Sequence, residues 1–381
     1  MNRPLVYLDN AATTFPKPAS VRAGVAKCLA EYCGNPGRGG SPISLAAAEK
    51  VYECREELAD FFGVSSPSRV VFTSGCTAAL NLALKGLLRR GDHVLVSDFE
   101  HNAVRRPLER LRAEGRIDFS RFSLRDVSET SLCALLCPQT RMLVCTAASN
   151  VCSLTAPLAF LGDFCTRHGL LFVVDGAQGG GHLGIFADRM HVSALALPAH
   201  KGLYGIPGAG ALILGEGILP EPLTEGGSGS LSLDPGMPAE PPERYEAGTL
   251  PLPAIVSMLD GTRFVRALGV DRVAELERGW FFRLRERLEN VSGCTVYLPE
   301  VPGPVLSFNL RGRSADVVAN ALASRGICVR GGFHCAPWAH EALGTDRPDA
   351  DGFCPGGTVR VSFSVFTRER DLDALYEALC D

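Results

Sequence analysis

Short apolar runs alternate with amphipathic stretches along the first 214 residues of the chain. The run RVVFT at 69–73, for example, is followed by TAALNLALKGLL at 77–88, whose apolar positions recur with helical periodicity. The same alternation predicts a helix at 157–168 and further strands at 93–97, 142–146, 170–175, 192–197 and 210–214. Short strands that alternate with helices are typical of a mostly parallel sheet covered by helices on both faces. The pattern therefore predicts an α/β fold.

The pattern changes after residue 214. Residues 215–250 are rich in glycine, proline and acidic side chains, and so long a loop in a compact protein is usually functional or interfacial. Residues 253–290 have the periodicity of one or two long helices. The remainder predicts a smaller α/β domain, with strands at 305–309, 327–330 and 358–363 and helices at 314–325 and 368–379. We expect a larger domain at 15–252, and a smaller domain built from 1–14 and 253–381.

The composition is that of an ordinary globular protein, with 46% apolar and 21% charged residues. The 38 basic and 42 acidic side chains give a net charge of −4, and hence no reason to expect nucleic acid or an anionic membrane as a partner. The start of the chain lacks an apolar signal region, and no apolar run reaches the roughly 18 residues of a membrane helix. We therefore expect a cytoplasmic protein in which most of the 14 cysteines are reduced. Because no zinc-type cysteine or histidine spacing occurs, we expect no metal site.

A glycine-containing turn joins the strand at 69–73 to the helix that follows, through Ser74, Gly75, Cys76 and Thr77. Ligands of an open α/β sheet bind beyond the carboxyl ends of its strands. The free N–H groups of a helix N-terminus suit a phosphate group. Plain capping of the helix by Thr77 is the alternative, so this turn alone leaves both interpretations open.

Two charged residues follow buried strands of the predicted sheet. Asp175 ends the apolar run LLFVV, where a carboxylate is costly unless a partner compensates it. A protonated pyridine nitrogen is one such partner, and a helix cap or a Mg²⁺ ion are the alternatives. Lys201 follows the strand at 192–197, and a lysine that is desolvated in a cleft can form a Schiff base. A surface lysine is the alternative here.

Three further residues stand in contexts that suit catalysis or binding. His101 follows a strand and could stack on an aromatic ring or move a proton, although a structural histidine would look the same. Cys335 lies in RGGFHCAP, where two glycines and a proline indicate a loop, and its thiol could ionise beside His and Arg neighbours. A loop thiol without a role is the alternative. Arg360 lies in an apolar strand and would bind a carboxylate if it points inward, or water if it points outward.

The motifs around these residues, in order along nearly the whole chain, resemble the class V aminotransferase superfamily, and specifically its cysteine desulfurase and selenocysteine lyase branch. The motifs are YLDNAATT at 7–14, NPGRGG at 35–40, FTSGCTAALNLA at 72–83, EHNAV at 100–104, ASNVCS at 148–153, VDGAQ at 174–178, HKG at 200–202, EAGTL at 246–250, RGGFHCAP at 330–337 and TVRVSF at 358–363.

This resemblance implies fold type I of the pyridoxal 5'-phosphate (PLP) dependent transferases, with PLP as the cofactor. Lys201 would hold PLP as a Schiff base, Asp175 would pair with the pyridine nitrogen, and His101 would stack on the ring. The other residues implied to contact PLP are Gln178 at the phenolic oxygen, Cys76 (through its backbone), Thr77 and His200 at the phosphate, and Thr249 at the phosphate of a neighbouring subunit. The last contact implies a homodimer with shared active sites.

The resemblance also implies a substrate site, in which Asn150 and Arg360 hold the substrate carboxylate and Cys335 receives sulfur as a persulfide. The implied reaction converts L-cysteine to L-alanine, with Lys201 and His101 as candidates for moving the α-proton. The alternatives are a selenocysteine lyase acting on L-selenocysteine, a class V aminotransferase or β-lyase with another amino acid, and a catalytically degenerate PLP-fold protein. A protein that accepts sulfur or selenium is an expected partner.

Three positions depart from the family pattern. Pro198 stands three residues before Lys201, where relatives usually carry a Ser or Thr that binds phosphate. Since proline has neither a hydroxyl nor an N–H group, we expect the phosphate site to lose ~1–3 kcal/mol of binding free energy. Ser41 replaces the usual His after NPGRGG, and Pro251 replaces the usual Asn after EAGTL. These changes surround the substrate and predict altered specificity or lost activity.

Overall fold

A computed structural model describes residues 5–37, 39–298, 300–348 and 352–381. Arg38 of the NPGRGG motif and the first four residues of the expected smaller domain lie outside the described residues. The helices are α1 Ala19–Lys27, α2 Pro42–Phe61, α3 Cys76–Leu87, α4 Asn102–Ala113, α5 Glu129–Cys133, α6 Leu158–His168, α7 Leu252–Leu268, α8 Val270–Leu288, α9 Ala315–Ser324, α10 Pro337–Leu343 and α11 Glu369–Cys380; a π-helical turn, Cys28–Tyr32, continues α1, and a short 3-10 helix spans Pro67–Arg69. The strands are β1 Val6–Tyr7, β2 Val70–Thr73, β3 Asp92–Ser97, β4 Ile117–Phe122, β5 Thr140–Thr146, β6 Leu171–Asp175, β7 Ala194–Pro198, β8 Gly210–Leu214, β9 Cys294–Tyr297, β10 Val305–Leu310, β11 Ile327–Cys328 and β12 Val359–Ser362.

The central sheet contains seven strands in the order β2-β8-β7-β6-β5-β3-β4. Strand β8 runs antiparallel to both of its neighbours, and the other pairs are parallel. Every residue of β7 and β8 is buried, which explains why these strands are apolar throughout instead of alternating. The mostly parallel sheet that the sequence predicts is therefore confirmed.

Helices cover both faces of this sheet. Successive residues of a strand point to opposite faces, and accordingly Val173 belongs to one apolar cluster and Val174 to another. The cluster around Val174 joins the sheet to α2, α6 and α7, whereas the cluster around Val173 joins it to α3 and α4. This arrangement leaves the carboxyl ends of the parallel strands as the edge where a ligand can bind.

A second, antiparallel sheet of the order β12-β10-β9 forms the C-terminal part of the chain. Its core is a separate apolar cluster that includes residues of α8, α9 and α11 together with Val6 and Leu8 from the N-terminal segment. Helix α7, by contrast, packs on α1 and α2 within the core of the large sheet. The domain boundaries at 15–252, 1–14 and 253–381 stay a prediction.

Residues 215–250 contain neither a helix nor a strand. The end of this segment is anchored by Glu246, whose carboxylate is buried, forms an ion pair with Arg55 and accepts a hydrogen bond from the Phe72 N–H at 2.6 Å. The ion pair therefore ties the long loop to α2 and to the first strand of the large sheet. Among the described residues, no helix combines the length and the apolar character that a bilayer span requires.

Candidate active site

A cavity of about 390 Å³ opens beyond the carboxyl ends of β6 and β7 and beside the N-terminus of α3. Asp175 is the last residue of β6, and Lys201 follows β7 after a tight turn. Most of the residues to which the resemblance assigns a role line this cavity: Cys76, Thr77, His101, Asn150, Asp175, Gln178, His200 and Lys201. Residues that are up to 125 positions apart in the sequence thus meet at the sheet edge where ligands are expected.

Asp175 is almost fully buried, and one of its oxygens is held by two donors. Its Oδ1 accepts a hydrogen bond from the Ala177 N–H at 2.9 Å and another from the Cys76 thiol at 3.4 Å. Burial raises the pKa of the Cys76 thiol well above its usual value, so the thiol stays protonated and acts as a donor. No described residue donates to Oδ2, which leaves that oxygen to pair with a cationic N–H group of a ligand.

The Lys201 amine is desolvated by the surrounding protein, and this lowers its pKa, although the nearby Asp175 carboxylate opposes the shift. A lower pKa raises the population of the neutral amine, the form that attacks a carbonyl carbon. The chain can turn here only because Gly202 follows: a Cβ at that position would lie 2.1 Å from the Gly180 carbonyl oxygen. The sheet edge therefore delivers a nucleophilic lysine beside a buried carboxylate.

The N-terminus of α3 presents unpaired donors to the same cavity. Gly75 has φ +151° and ψ 173°, a conformation open essentially to glycine alone, and no side chain caps the helix. The N–H groups of Cys76 and Thr77, in the first turn of α3, have no partner within the helix and face the cavity end where an anion is stabilised. The His200 ring is also available, because its Nδ1 is buried without a hydrogen-bond partner.

Pro198 and Lys17 lie beside His200, and of the two only Pro198 was singled out from the sequence. Pro198 lines the cavity and offers no donor, as its departure from the family pattern implies. Lys17 places its Nζ 3.0 Å from the His200 carbonyl oxygen and 2.8 Å from Thr14 Oγ1, and burial lowers its pKa to about 8. Desolvation, together with the charges of Lys201 and Lys17, lowers the pKa of His200 to about 4, so this ring is neutral at physiological pH. Lys17 was missed because it lies on no strand end and in no recognised motif.

His101 lines the cavity that contains Asp175 and Lys201, which we call the cofactor cavity, and separates it from a second cavity next to it. It caps helix α4, with its Nδ1 accepting a hydrogen bond from the Ala103 N–H at 3.0 Å. Burial lowers the pKa of His101, and in the neutral ring the proton must then lie on Nε2. Behind it, Glu100 is fully buried and accepts from Ser97 and from the Thr146 N–H, and burial raises its pKa to about 8.

Asn150 and Arg360 come together, as predicted, but Arg360 already has an acidic partner. The buried guanidinium donates from Nη2 to Asp9 Oδ1 at 2.7 Å and from Nη1 to the Asn150 carbonyl at 3.1 Å, while its Nε has no partner. Asn150 in turn donates from Nδ2 to the His334 carbonyl at 2.7 Å. Asp9 belongs to the YLDNAATT motif, yet nothing in the sequence indicated this pairing.

Cys335 is exposed and lies beside a second cavity of about 380 Å³ that shares Thr77, His101 and Ala103 with the cofactor cavity. His334 and Cys335 have φ angles of +48° and +57°, a strained conformation for residues with a side chain. The conformation is held because the Cys335 carbonyl accepts from the Asn102 N–H at 2.7 Å. The backbone of Cys335 is thereby tied to the start of α4, and Cys335 and His101 line the same cavity.

Thr249 is exposed and does not reach the Lys201 cavity of its own chain. It lines a different, open cavity of about 560 Å³, together with residues of the NPGRGG motif such as Asn35 and Gly37. Its implied role at a neighbouring subunit's phosphate stays a prediction. Gln178, by contrast, lies in the cofactor cavity, where its Nε2 donates to the Ala11 carbonyl at 2.9 Å.

The donor and acceptor set of the cavity fits PLP. The unpaired Asp175 Oδ2 suits the pyridinium N–H, and the desolvated Lys201 amine suits the aldehyde. The helix amides and the orphaned His200 Nδ1 suit the phosphate.

Comparisons with known proteins agree with this fit. The family model of the class V aminotransferases matches residues 6–375. A cysteine desulfurase from Escherichia coli is 32% identical over 87% of this chain and 84% of its own. A probable cysteine desulfurase from Mycolicibacterium paratuberculosis is 29% identical over 99% of this chain, which spans only 55% of that longer protein.

A solved structure of a cysteine desulfurase from Thermococcus onnurineus superposes with a TM-score of 0.89 and 28% identity, and it covers 99% of this chain and 94% of the other. The family match, the relatives and the shared architecture coincide with a cavity whose residues suit PLP. The chain belongs to the class V aminotransferase family of PLP enzymes, and within it to the cysteine desulfurase group.

Proposed function

We propose that the protein is a PLP-dependent cysteine desulfurase that converts L-cysteine to L-alanine and leaves the sulfur on Cys335 as a persulfide. The observation that carries the proposal is that the cavity with Lys201 and Asp175 and the cavity with Cys335 lie next to each other and share His101. On one side, Lys201 and Asp175 share the cofactor cavity. On the other side, Cys335 lines the adjoining cavity, to which His101 also contributes.

The residues of the cofactor cavity have separable tasks. PLP, when bound, withdraws electrons from the substrate's α-carbon. Asp175 would hold the protonated pyridine nitrogen through its free Oδ2, since the Ala177 N–H and the Cys76 thiol already fix its Oδ1. Lys201 would hold the aldehyde carbon of PLP, and its amine, when free, would move protons to and from the substrate. Through its Nε2, His101 can assist that transfer.

The substrate carboxylate is proposed to bind at Arg360. The guanidinium is buried and already oriented by the Asn150 carbonyl, and its Nε lacks a partner. Asp9 holds one guanidinium nitrogen, so the incoming carboxylate must either displace Asp9 or bind the face that Asp9 leaves free. Displacement of Asp9 would free Nη2 beside Nε, and these two nitrogens would then bind the carboxylate at two points.

The sulfur step balances without an external oxidant or reductant. The Cys335 thiolate attacks the substrate sulfur, the Cβ–S bond breaks, and the electron pair of that bond stays on Cβ. Cβ then takes a proton and L-alanine leaves. The net change is L-cysteine plus the Cys335 thiol to L-alanine plus the Cys335 persulfide.

A homodimer in which Thr249 of one subunit completes the phosphate site of the other is part of the proposal, as are a sulfur-acceptor protein and a cytoplasmic location. The dimer is supported by the exposure of Thr249 at the edge of an open cavity, away from its own chain's Lys201.

The function is tested by the visible spectrum of the PLP-loaded protein before and after L-cysteine is added, with alanine and sulfide measured in the same sample. The wild type should shift its absorption band and form alanine. Cys335→Ala should keep the band but form neither product, whereas Cys354→Ala, which removes another exposed thiol, should behave as wild type.

An inert band with L-cysteine but turnover of L-selenocysteine would replace the proposal by a selenocysteine lyase. Dependence on a keto-acid acceptor would replace it by an aminotransferase.

A further inference from the structure

The cavity beside Cys335 is lined by basic residues and by no acidic ones. We call this cavity the vestibule and define it by Asn81, Lys85, His101, Arg106, Arg110 and Cys335. Lys85 lies on α3 and the two arginines lie on α4, so two packed helices present their cations to the same space. Of the residues that the structure describes, no aspartate or glutamate lines the vestibule.

One exposed carboxylate, Glu114, offsets part of this charge: it forms an ion pair with Arg110, and Arg110 and, less strongly, Lys85 lower its pKa. Among the residues that the structure describes, neither Lys85 nor Arg106 itself forms an ion pair with a carboxylate, so the vestibule keeps an excess of positive charge. Arg330 adds a further positive charge, since its Nη2 lies 3.9 Å from Cys335 Sγ. Walls that carry one sign of charge raise the local concentration and the association rate of ligands of the opposite sign.

The thiol itself is not free to travel to a distant acceptor. The Asn102 N–H holds the Cys335 carbonyl at 2.7 Å, the His334 ring bonds to Thr358 at 3.0 Å, and α10 begins only two residues later at Pro337. An acceptor must therefore come to the thiol, and the vestibule beside it, with a volume of about 380 Å³, has room for a small molecule.

We propose that the vestibule binds a small anionic thiol, one that carries carboxylate groups, as an acceptor of the Cys335 sulfur in addition to the acceptor protein. This inference rests on the proposed function. The acceptor's thiolate attacks the terminal sulfur of the Cys335 persulfide, and the bond between that sulfur and Cys335 Sγ breaks. Cys335 leaves as a thiolate, while the sulfur and its proton remain on the acceptor as a new persulfide. Lys85 and Arg106 hold the acceptor's carboxylates.

The test follows persulfide loss from holoenzyme that has been loaded with L-cysteine, freed of excess substrate and checked by mass spectrometry. Three probe thiols are compared at equal thiolate concentration: mercaptosuccinate (anionic), 2-mercaptoethanol (neutral) and cysteamine (cationic). In the wild type at low salt, mercaptosuccinate should react about tenfold faster than 2-mercaptoethanol, and cysteamine should be the slowest. About 1 M salt should abolish the order, because it screens charges beyond ~3 Å.

The double variant Lys85→Gln, Arg106→Gln should lose the preference for the anionic thiol. The control Arg272→Gln, Arg278→Gln removes two exposed arginines of α8 and changes the net charge equally, so it should keep the preference. The same order of rates in the wild type and the vestibule variant would overturn the inference alone. Failure of L-cysteine to load a persulfide on Cys335 would overturn the proposed function and the inference with it.

Discussion

At the residue scale, the site contains buried charged side chains in which some polar atoms have hydrogen-bond partners within the protein and at least one has none. Asp175 uses Oδ1 for the Ala177 N–H and the Cys76 thiol, and Oδ2 stays available. Arg360 uses two nitrogens for Asp9 and Asn150, and its Nε stays without a partner. A buried charge with an unmet hydrogen bond is costly, so each is stabilised when a ligand of opposite charge binds.

Arg360→Lys should weaken substrate binding more than it slows the chemistry. A lysine ammonium cannot form the planar, two-point contact with a carboxylate, and one lost charge-assisted hydrogen bond is worth ~1.5–3 kcal/mol. We expect KM for L-cysteine to rise by about ten- to a hundredfold and kcat to change less. Steady-state alanine formation gives both constants, and an unchanged KM would exclude Arg360 from carboxylate binding.

Single residues were predictable from the sequence where a buried strand delivers them. Asp175 and Lys201 directly follow apolar strands, so their placement at one sheet edge follows from the fold. Asp9 and Lys17 were not predictable, because they come from the N-terminal segment, and their contacts with Arg360 and the His200 carbonyl depend on long-range packing. Cys76 was expected to contact the phosphate through its backbone only, yet its thiol also donates a hydrogen bond to Asp175.

At the element scale, the N-terminus of α3 is the phosphate site that we propose, one of the two interpretations that the turn after β2 leaves open. Because Gly75 has φ +151° and ψ 173°, an alanine there would be strained by ~1–3 kcal/mol and would turn the Cys76 and Thr77 amides away from the anion.

Gly75→Ala should therefore weaken PLP binding measurably, by about ten- to a hundredfold in Kd if the strain appears fully in the bound state. Fluorescence titration of the apoprotein with PLP measures this. Gly91→Ala, at another open glycine with positive φ but remote from the cavity, is the matched control. Equal PLP affinities of the two variants would argue against an amide cradle at α3.

A buried ion pair joins the loop after β6 to α8. His182 Nδ1 lies 2.9 Å from Glu277 Oε2; burial disfavours the imidazolium, but the carboxylate outweighs it and raises the pKa of His182. A raised pKa stabilises the folded state below the unfolded pKa of about 6.5, and this contribution is lost as the pH rises through the folded value.

His182→Gln should therefore lower Tm more at pH 6 than at pH 9, relative to wild type at each pH. In a Glu277→Gln background, His182→Gln should show no such difference between the two pH values, because the carboxylate that raises the pKa of His182 is then absent. A loss of Tm that is independent of pH would mean that His182 stabilises by packing alone.

Elements were predictable where the sequence is strongly periodic or continuously apolar. The predicted strands before residue 215, the helix at 77–88 and the long helical stretch after 252 correspond to elements of the structure, with ends shifted by one or two residues. The elements that were missed are strands β1, β4 and β9 and helices α1, α2, α4, α5 and α10. Strand β4 alternates exposed and buried residues within IDFSRF, and α4 is largely polar with an internal Pro107, so neither resembles a buried element.

At the scale of the whole molecule, a single chain brings all the predicted cofactor-binding residues except Thr249 into one cavity. This residue follows the buried Arg55–Glu246 ion pair and lines an open cavity that Lys201 does not reach. If the active site is shared, Lys201 and Thr249 of one functional site come from different subunits.

Subunit mixing tests this sharing. Lys201→Ala and Thr249→Ala homodimers should each be inactive or weakly active. In a mixed dimer, one site would combine the native Lys201 of one subunit with the native Thr249 of the other, so mixing after reversible dissociation should restore activity. No recovery, although mixed dimers are detected by native mass spectrometry, would mean that each chain completes its own site.

The large mostly parallel sheet was predictable, since the order of strands and helices restricts the topology. The placement of α7 was not: its sequence continues into α8 with the same periodicity, yet it packs in the core of the large sheet while α8 packs in the C-terminal core. Periodicity shows that a helix is amphipathic, but not which partner covers its apolar face.

The central claim is that sulfur from L-cysteine is transferred to Cys335, and peptide mass spectrometry after one turnover tests it most directly. Holoenzyme is mixed with substoichiometric L-cysteine, alkylated and digested, and all 14 cysteines are examined for the mass of one added sulfur atom. We expect the added sulfur on Cys335 alone, in proportion to the alanine formed. Alanine without added sulfur on Cys335, or sulfur on another thiol such as Cys354, would contradict it.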